Sequence, residues 1–299
     1  MKTLSHLLEI VSNKNKFQTL TDYSDFCSDF LDFIQNGLQA VIVCQNETNY
    51  RFFQYKKEAN FQISRPINSD LIFSAETFAS AKKSFFQSMK KIRSIRQNVK
   101  ARETLNRFVY TCQQSIGAAL DALHFEDPQK DANTARKIGG DLFERFVKLI
   151  IAELGIEVRG GVVSVPICEN GKTLFSMKYQ HDLILEKDGE ICAIGAVKTS
   201  SKDRLDKIFI DKFLYNRLTG SETPHFAIFL NDVQKKIHEP HYLISATFLT
   251  GHFKGYTVKL TPLDGVYYCD LRPNMKEDEF LRNHIRTLDC LLVEDIWNF

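Results

Sequence analysis

An aspartate and a lysine stand near the ends of two neighbouring strand-like segments. Asp182 lies in the first segment, and Lys198 ends the second. Asp188-Gly189 stands between them and is a strong signal for a two-residue hairpin turn. Pairing outward from this turn sets Asp182 opposite Gly195, three residues before Lys198. The spacing therefore predicts that a carboxylate and an ammonium group meet at one end of a buried hairpin.

A carboxylate and a lysine at strand ends suit the hydrolysis of a phosphodiester bond. This reaction requires a positioned, deprotonated water, neutralisation of the extra charge on the phosphate and stabilisation of the leaving oxygen. Magnesium held by carboxylates lowers the pKa of a bound water, and a nearby lysine can orient that water or stabilise charge. The chemistry also requires an acid two residues before the lysine, because residues i and i+2 face the same side of a strand. That position is Ala196.

The segment from Asp182 to Lys198 resembles the PD-(D/E)xK signature of type II restriction endonucleases. The match consists of Asp182, thirteen intervening residues and an Ala-Val-Lys motif that ends at Lys198, with His181 in place of the proline. Residues 197–204 also resemble the stretch after the catalytic lysine in several restriction enzymes. The resemblance covers roughly residues 137–232. It implies an α/β fold with a mixed central β-sheet flanked by helices.

The resemblance also implies roles for individual residues. Asp182 and Glu144 would hold Mg²⁺, and Lys198 would position the attacking water. The residues after the lysine would contact the DNA backbone, and they are Thr199, Ser200, Ser201, Lys202 and Arg204. Two alternatives remain open. In the first, Glu144 is the solvated flank of an amphipathic helix and not a metal ligand. In the second, Ser200 or Ser201 caps the helix that begins near residue 203, and this role is compatible with a contact to the DNA backbone.

Ala196 is the main departure from the pattern, because the signature requires Glu or Asp at that position. Asp182 alone, even with Glu144, leaves the metal site one charged ligand short. Since the surrounding motif is intact, we interpret Ala196 as a deliberate replacement of a natural acid, which gives an inactive protein that still binds DNA. The rival interpretation is a naturally inactive homologue.

Together these residues predict a magnesium-dependent type II restriction endonuclease that cuts double-stranded DNA at a short sequence, here inactivated by Ala196. Palindromic sites favour two-fold proteins, so we expect a homodimer. Another PD-(D/E)xK nuclease, acting in defence, repair or junction resolution, is one alternative. A DNA-binding module without catalysis is a second. An unrelated α/β protein, in which the pairing of Asp182 with Lys198 is accidental, is a third.

The order of elements divides the chain into two regions. Residues 1–135 form a mainly helical region with a small β insertion, which would wrap DNA or form a dimer interface, and residues 136–299 form the nuclease-like core. Helical spacing near 137–154 and 203–218 brackets the strand-like segments. A further strand is predicted near 255–260. This order predicts a mixed α/β fold.

The composition is that of a globular protein without a membrane span. The chain has 299 residues, of which 43% are hydrophobic and 25% charged, and no apolar run approaches the 18 residues that a span requires. The N-terminus lacks the features of a signal peptide. The seven cysteines are odd in number and scattered. We therefore expect reduced thiols and, given the resemblance, a bacterial cytoplasmic location.

Positive charge is concentrated locally, since the formal net charge is only +2. Residues 82–107 contain one acid, Glu103, and nine basic residues, which are Lys82, Lys83, Lys90, Lys91, Arg93, Arg96, Lys100, Arg102 and Arg107. Such a run is usually a solvated face. A surface that contacts phosphates is the alternative interpretation.

Overall fold

The structure of the chain is a computed structural model with two compact units. It describes residues 3–57, 60–123, 128–202, 204–238 and 240–299. Unit 1 comprises Met1–Leu149 with Val233–Thr247, and unit 2 comprises Ile150–Asp232 with Phe248–Phe299. The expected division at residues 135 and 136 falls inside the helix Pro128–Glu153, and that division stays a prediction. In the part of the chain that the structure describes, no helix is both long and apolar enough to cross a membrane.

Helices and strands occur throughout both units. Among the described residues, the α-helices are α1 (Leu4–Ser12), α2 (Leu20–Gly37), α3 (Ala75–Met89), α4 (Val99–Leu120), α5 (Pro128–Glu153), α6 (Leu205–Thr219), α7 (Thr250–Lys259), α8 (Pro273–Glu277), α9 (Glu279–His284) and α10 (Leu288–Val293). The β-strands are β1 (Ala40–Val43), β2 (Tyr50–Lys57), β3 (Asn60–Ile63), β4 (Ile67–Asn68), β5 (Glu157–Glu169), β6 (Lys172–Lys187), β7 (Glu190–Ser200), β8 (His225–Asn231), β9 (Val233–His238), β10 (His241–Ala246), β11 (Gly265–Tyr268) and β12 (Ile285–Thr287). The predicted mixed α/β fold class is confirmed.

Unit 1 is mainly helical and carries small antiparallel sheets. β2 pairs with β1, β3 and β4, and β9 pairs with β10. α3 and α4 pack through aromatic rings, because Phe78 and Phe85 both stack on Phe108, at centroid distances of 5.5 and 3.9 Å. A 3₁₀ turn at Ile92–Ile95 connects these two helices. The helices therefore share one aromatic core, and the basic run from 82 to 107 extends along them.

A six-stranded mixed sheet forms the centre of unit 2, in the order β12-β11-β8-β7-β6-β5. β5, β6 and β7 pair antiparallel, whereas β7, β8, β11 and β12 pair parallel. β8 is buried along its whole length, as expected for a strand covered on both faces. Phe209 of α6 and Phe253 of α7 pack in one apolar cluster with Ala227 and Phe229 of β8. β7, which carries Lys198, is therefore an interior strand, as the sequence predicts.

Residues Thr250–Lys259 form the helix α7, so the predicted strand near 255–260 is wrong. Phe253 and Thr257 are four residues apart, and both are buried. The Phe253 ring lies 5.8 Å from the Phe209 ring of α6. Burial of this helical face outweighs the poor helix propensity of the two glycines in the segment.

Candidate active site

The hairpin of β6 and β7 closes through the predicted two-residue turn. Asp188 and Gly189 have φ values of 55° and 83°, and the flanking Lys187 and Glu190 pair with each other. Two consecutive positive φ values fit a type I′ turn, whose twist matches that of the strands on either side. The hairpin prediction is therefore confirmed.

The predicted register of this hairpin is wrong by one residue. Cys192 is an extra residue in β7, at the point where the pairing with β6 shifts. As a result Leu183, and not Asp182, pairs with Gly195. Such a bulge opposes two residues of one strand to one residue of its partner. It moves Asp182 one residue closer to Lys198 along the hairpin than the turn alone predicts.

A second irregularity occurs in β6 at the aspartate itself. The pairing of β5 with β6 shifts between Arg159 and Gly161, whose partners are Ile184 and His181. β6 therefore contains one more residue than β5 across this step, and the extra residue is Asp182 or its neighbour. Bulges of this kind re-aim side chains and are common next to active sites. Asp182 lies where β6 departs from a regular pleat.

Asp182 and Lys198 contact each other directly. Asp182 Oδ2 accepts hydrogen bonds from the Val197 backbone N–H, at 2.9 Å, and from Lys198 Nζ. The side chains are 16% and 32% exposed, so the pair is largely buried but still accessible. Asp182 Oδ1 has no hydrogen-bond partner among the described residues. One carboxylate oxygen is therefore fixed by the protein, and the other is available to a ligand.

Ala196 supplies no oxygen to this pair. It is partly buried and packs against the apolar cluster that contains Ile208 and Phe209 of α6. Its methyl group thus serves packing between β7 and α6. The acid that the signature requires two residues before Lys198 is absent, and any further carboxylate must come from another element.

A carboxylate that the sequence analysis does not identify lies on the helix after Lys198. Asp211 is in α6 one turn before Tyr215, and residues i and i+4 share a helix face. The Tyr215 ring packs edge-on against His181, at a centroid distance of 5.8 Å, so this face is turned toward β6. Burial lowers the pKa of His181, and the Asp211 and Asp182 carboxylates both oppose that shift. Both carboxylates therefore lie within electrostatic reach of the same imidazole.

The position of Asp211 in α6 is the signal that could have found it. Asp211 stands in line with Ile208 and Tyr215, which are both buried. An acid on the apolar face of a helix requires a partner or a function. Lys207 donates a hydrogen bond to Asp211 Oδ2, and the Asp211 side chain is 25% exposed. The second carboxylate oxygen remains without a partner in the described part of the chain.

Two buried histidines lie near each other, with ring centroids 6.3 Å apart, and one of them, His181, directly precedes Asp182. His181 and His225 are 6% and 3% exposed, and Nε2 of each has no hydrogen-bond partner within the described residues. His225 Nδ1 lies 2.9 Å from the Thr223 carbonyl oxygen. Since a carbonyl can only accept, Nδ1 carries the proton. Burial lowers the pKa of His225 to about 4, so its imidazole is neutral near pH 7.

Glu144 belongs to unit 1, whereas Asp182 and Lys198 belong to unit 2. Glu144 Oε1 accepts a hydrogen bond from Lys148 Nζ at 2.7 Å, and both side chains are nearly 30% exposed. An ion pair between residues i and i+4 is a common feature of a solvated helix flank. This geometry fits the alternative interpretation, in which Glu144 lies on the solvated flank of an amphipathic helix. A metal-binding role for Glu144 stays a prediction.

The segment after Lys198 differs in exposure from residue to residue. Thr199 and Ser200 are half-buried, Ser201 is buried, and Lys202 and Arg204 are exposed. The N-cap of α6 is Arg204, which forms no capping hydrogen bond through its side chain. The alternative in which Ser200 or Ser201 is the N-cap of this helix is therefore wrong. Lys202 and Arg204 are the two residues of this segment whose charges face solvent.

Asp182 and Asp211 are the carboxylates that could hold a metal ion. No cluster of three or more His, Cys, Asp or Glu side chains with the arrangement of a metal site occurs among the described residues. Mg²⁺ is commonly bound through one or two carboxylates, with waters and substrate phosphate oxygens completing the shell. Asp182 and Asp211 each leave one carboxylate oxygen of the chemical kind that such an ion takes.

Comparison with solved structures identifies the fold. The chain is similar to the type IIP restriction endonuclease Kpn2I, with a TM-score of 0.70 and 16% sequence identity over 99% of this chain and 97% of that chain. The chain has a restriction endonuclease-like fold. A second similar structure is the complex of restriction endonuclease PspGI with substrate DNA, with a TM-score of 0.42 and 12% identity over 73% of this chain and 92% of that one. No protein-family model matches the chain, and no curated protein is a match in sequence.

Proposed function

We propose that this protein is a magnesium-dependent endonuclease that hydrolyses phosphodiester bonds of double-stranded DNA. The observation that carries the proposal is the geometry of Asp182. Lys198 and the Val197 N–H fix its Oδ2, and Oδ1 is left available. This arrangement occurs at the hairpin of a restriction endonuclease-like fold, which supports a nuclease over an accidental pair.

In this proposal each residue of the site has a separate role in hydrolysis. Asp182 and Asp211 would hold Mg²⁺, which supplies Lewis acidity and lowers the pKa of a bound water. Lys198 Nζ, held in place by Asp182, would orient the attacking water or balance the charge that develops on the phosphate. The role of Glu144 as a further ligand is a weaker part of the proposal, because Lys148 already pairs with it.

Two accounts of Ala196 are available. In the first, Ala196 replaces an acid and the chain binds DNA without cutting it, as the sequence alone predicts. In the second, Asp211 supplies the missing carboxylate from α6, and the chain is active as it stands. The second account is supported by the place of Asp211 on the face of α6 that carries Tyr215, whose ring packs against His181, the residue before Asp182.

Cleavage of a mixed-sequence plasmid, with and without Mg²⁺, distinguishes these accounts. The native chain is expected to cut only with Mg²⁺, and Asp211→Asn is expected to lower the rate about 10²-fold or more. Asp206→Asn is the matched control, since Asp206 lies on the same helix near His252. If only Ala196→Glu cleaves, the first account is correct. If none of these proteins cleaves, the endonuclease proposal is wrong and a non-catalytic DNA-binding module remains.

The finer parts of the proposal concern the DNA substrate. We propose a type II restriction enzyme that recognises a short palindromic sequence as a homodimer, in a bacterial cytoplasm. Cleavage at one defined palindrome supports this role, whereas structure-dependent or sequence-independent cutting favours a repair, junction-resolving or other defence nuclease. Lys202 and Arg204 would contact the DNA backbone together with Thr199, Ser200 and Ser201, although burial of Ser201 leaves it the least accessible.

Replacement of the two exposed basic residues tests the DNA contact. Lys202→Ala with Arg204→Ala is expected to lower duplex affinity and to reduce the dependence of log K on log salt concentration by about 1 to 2. Lys187→Ala, at the exposed turn of the hairpin, is the control. An unchanged salt dependence in the double variant would separate this segment from the DNA interface.

A further inference from the structure

Unit 1 contains an open polar pocket where α3, the 3₁₀ turn Ile92–Ile95 and the start of α4 meet. Its volume is about 300 Å³. None of the described residues that line it is acidic. The lining is mostly hydroxyl, amide and lysine groups, among them Ser84, Ser88, Lys91, Asn98, Lys100 and Thr104. A pocket with this lining favours an anion over a cation or an apolar molecule.

The two lysines of the pocket are not neutralised by the protein. Within the described ranges, neither Lys91 nor Lys100 forms an ion pair. Other basic residues of the same run do have partners, since Lys82 pairs with Asp25 at 2.5 Å and Arg107 lies over the Phe73 ring. The pocket therefore holds uncompensated positive charge.

The hydroxyl of a mostly buried serine in the pocket also lacks a protein partner. The Ser88 residue is 6% exposed, and its Oγ makes no hydrogen bond to any described residue. A ligand oxygen in the pocket would satisfy this hydroxyl. This burial distinguishes the pocket from an ordinary solvated face.

The start of α4 adds backbone donors to the same pocket. Asn98 caps the helix by accepting from the Ala101 N–H at 3.0 Å, and its carbonyl accepts from the Arg102 N–H at 3.0 Å. The Lys100 N–H has no acceptor among the described residues. Free N–H groups and the helix dipole attract anions at such a position.

We propose that this pocket binds a phosphate group. Lys91 and Lys100 would balance its charge, and the Ser88 hydroxyl and the Lys100 N–H would donate hydrogen bonds to its oxygens. The phosphate could belong to a DNA backbone or to a small phosphate-bearing molecule. The DNA source depends on the proposed function, whereas the phosphate chemistry does not.

The test uses the full chain and two matched double variants. Lys91→Ala with Lys100→Ala removes two charges from the pocket. Lys83→Ala with Lys90→Ala removes the same charge from exposed lysines of the same run that do not line the pocket and have no ion pair within the described residues. Ser88→Ala removes the hydroxyl alone. Inorganic phosphate is titrated by calorimetry at constant ionic strength, and a DNA duplex is titrated by fluorescence anisotropy across a salt series without divalent metal.

The native chain is expected to bind inorganic phosphate at one site. Affinity should fall about tenfold or more in the Lys91/Lys100 variant, fall measurably in Ser88→Ala and stay within about twofold in the control. A parallel fall of about 1 to 2 in the salt dependence of DNA binding identifies the DNA backbone as the source. An unchanged salt dependence identifies a small phosphate-bearing molecule.

Two results overturn the proposal. One is an absence of phosphate binding by the native chain. The other is an equal loss in both double variants, which would indicate a diffuse basic face. Because inorganic phosphate is measured without DNA or cleavage, failure of the endonuclease proposal would leave this result unaffected.

Discussion

At the end of the β6–β7 hairpin, Lys198 is paired with Asp182, whereas Lys91 and Lys100 at the start of α4 have no ion-pair partner among the described residues. The paired lysine is partly buried, and its position depends on strand register and on the packing around it. The unpaired lysines are exposed, so packing against other residues constrains their side chains little. The two regions therefore differ in which properties of the protein a substitution should change. Substitution in the hairpin should alter both chemistry and stability, while substitution in the pocket should alter ligand affinity alone.

The largest expected effect is on cleavage, from replacement of the paired lysine. Lys198→Ala removes the group that Asp182 holds at the site, and the single-turnover rate of DNA cleavage should fall by about 10²–10⁴-fold. Lys187→Ala, at the opposite end of the same hairpin, should leave the rate unchanged. The rates are measured on one plasmid at saturating protein, with circular dichroism as the check on folding. A Lys198→Ala rate within tenfold of the native rate would contradict a catalytic role.

The second effect is a loss of stability at low pH that arises beside the hairpin. His225 has a folded-state pKa of about 4 because of burial, and its pKa in an unfolded chain is about 6.5. Between these values the unfolded chain binds more protons than the folded chain. The free energy of unfolding should therefore fall as pH is lowered from about 6.5 to 4, by about 2–3 kcal/mol.

Urea unfolding at several pH values measures this loss. His225→Asn retains a donor for the Thr223 carbonyl oxygen but cannot titrate, so its stability should fall less across the same window. The burial-lowered pKa of His181 acts in the same direction, and some dependence should therefore remain. An equal pH dependence in the native chain and the variant would exclude His225 as the source.

The third effect concerns the packing that fixes the hairpin register. A Cβ at Gly195 would lie 2.5 Å from the Phe226 ring and 3.0 Å from Leu183. Gly195→Ala should therefore lower the free energy of unfolding by about 1–3 kcal/mol. Gly251→Ala is a control of opposite sign, because a Cβ there meets nothing within 4 Å and alanine stabilises a helix by about 0.5–1 kcal/mol. The denaturant midpoints of the two variants should shift in opposite directions. A shift in the same direction would contradict the close contact between residue 195 and the Phe226 ring.

The part of the site that could be predicted from the sequence is the part that depends on local signals. The Asp188-Gly189 turn and the apolar run of β7 are local, and both are present in the structure. The bulge at Cys192 has no comparable signal, because no glycine or proline marks it. It shifted the predicted register by one residue.

The missed carboxylate and the misassigned α7 have a different cause. The position of Asp211 relative to Asp182 depends on how α6 packs on the sheet. The sequence signature describes only the two strands, so it carries no information about that packing. In α7, Tyr256 and the β-branched Thr257 and Val258 favoured a strand, while tertiary burial of Phe253 decided in favour of a helix. Long-range packing was therefore the missing information in both cases.

The smallest expected effect is the change in the free energy of unfolding when a residue of the pocket at the start of α4 is replaced. We expect almost no change, because this pocket is proposed to bind a ligand and not to stabilise the fold. Ser88→Ala removes a hydroxyl that has no partner within the described residues, from a residue that is 6% exposed, so the free energy of unfolding should stay within about 0.5 kcal/mol of the native value. Urea unfolding without phosphate provides the measurement. A loss of more than about 1 kcal/mol would mean that the hydroxyl stabilises the fold, and the contrast between a structural hairpin charge and a ligand-binding pocket would fail at this residue.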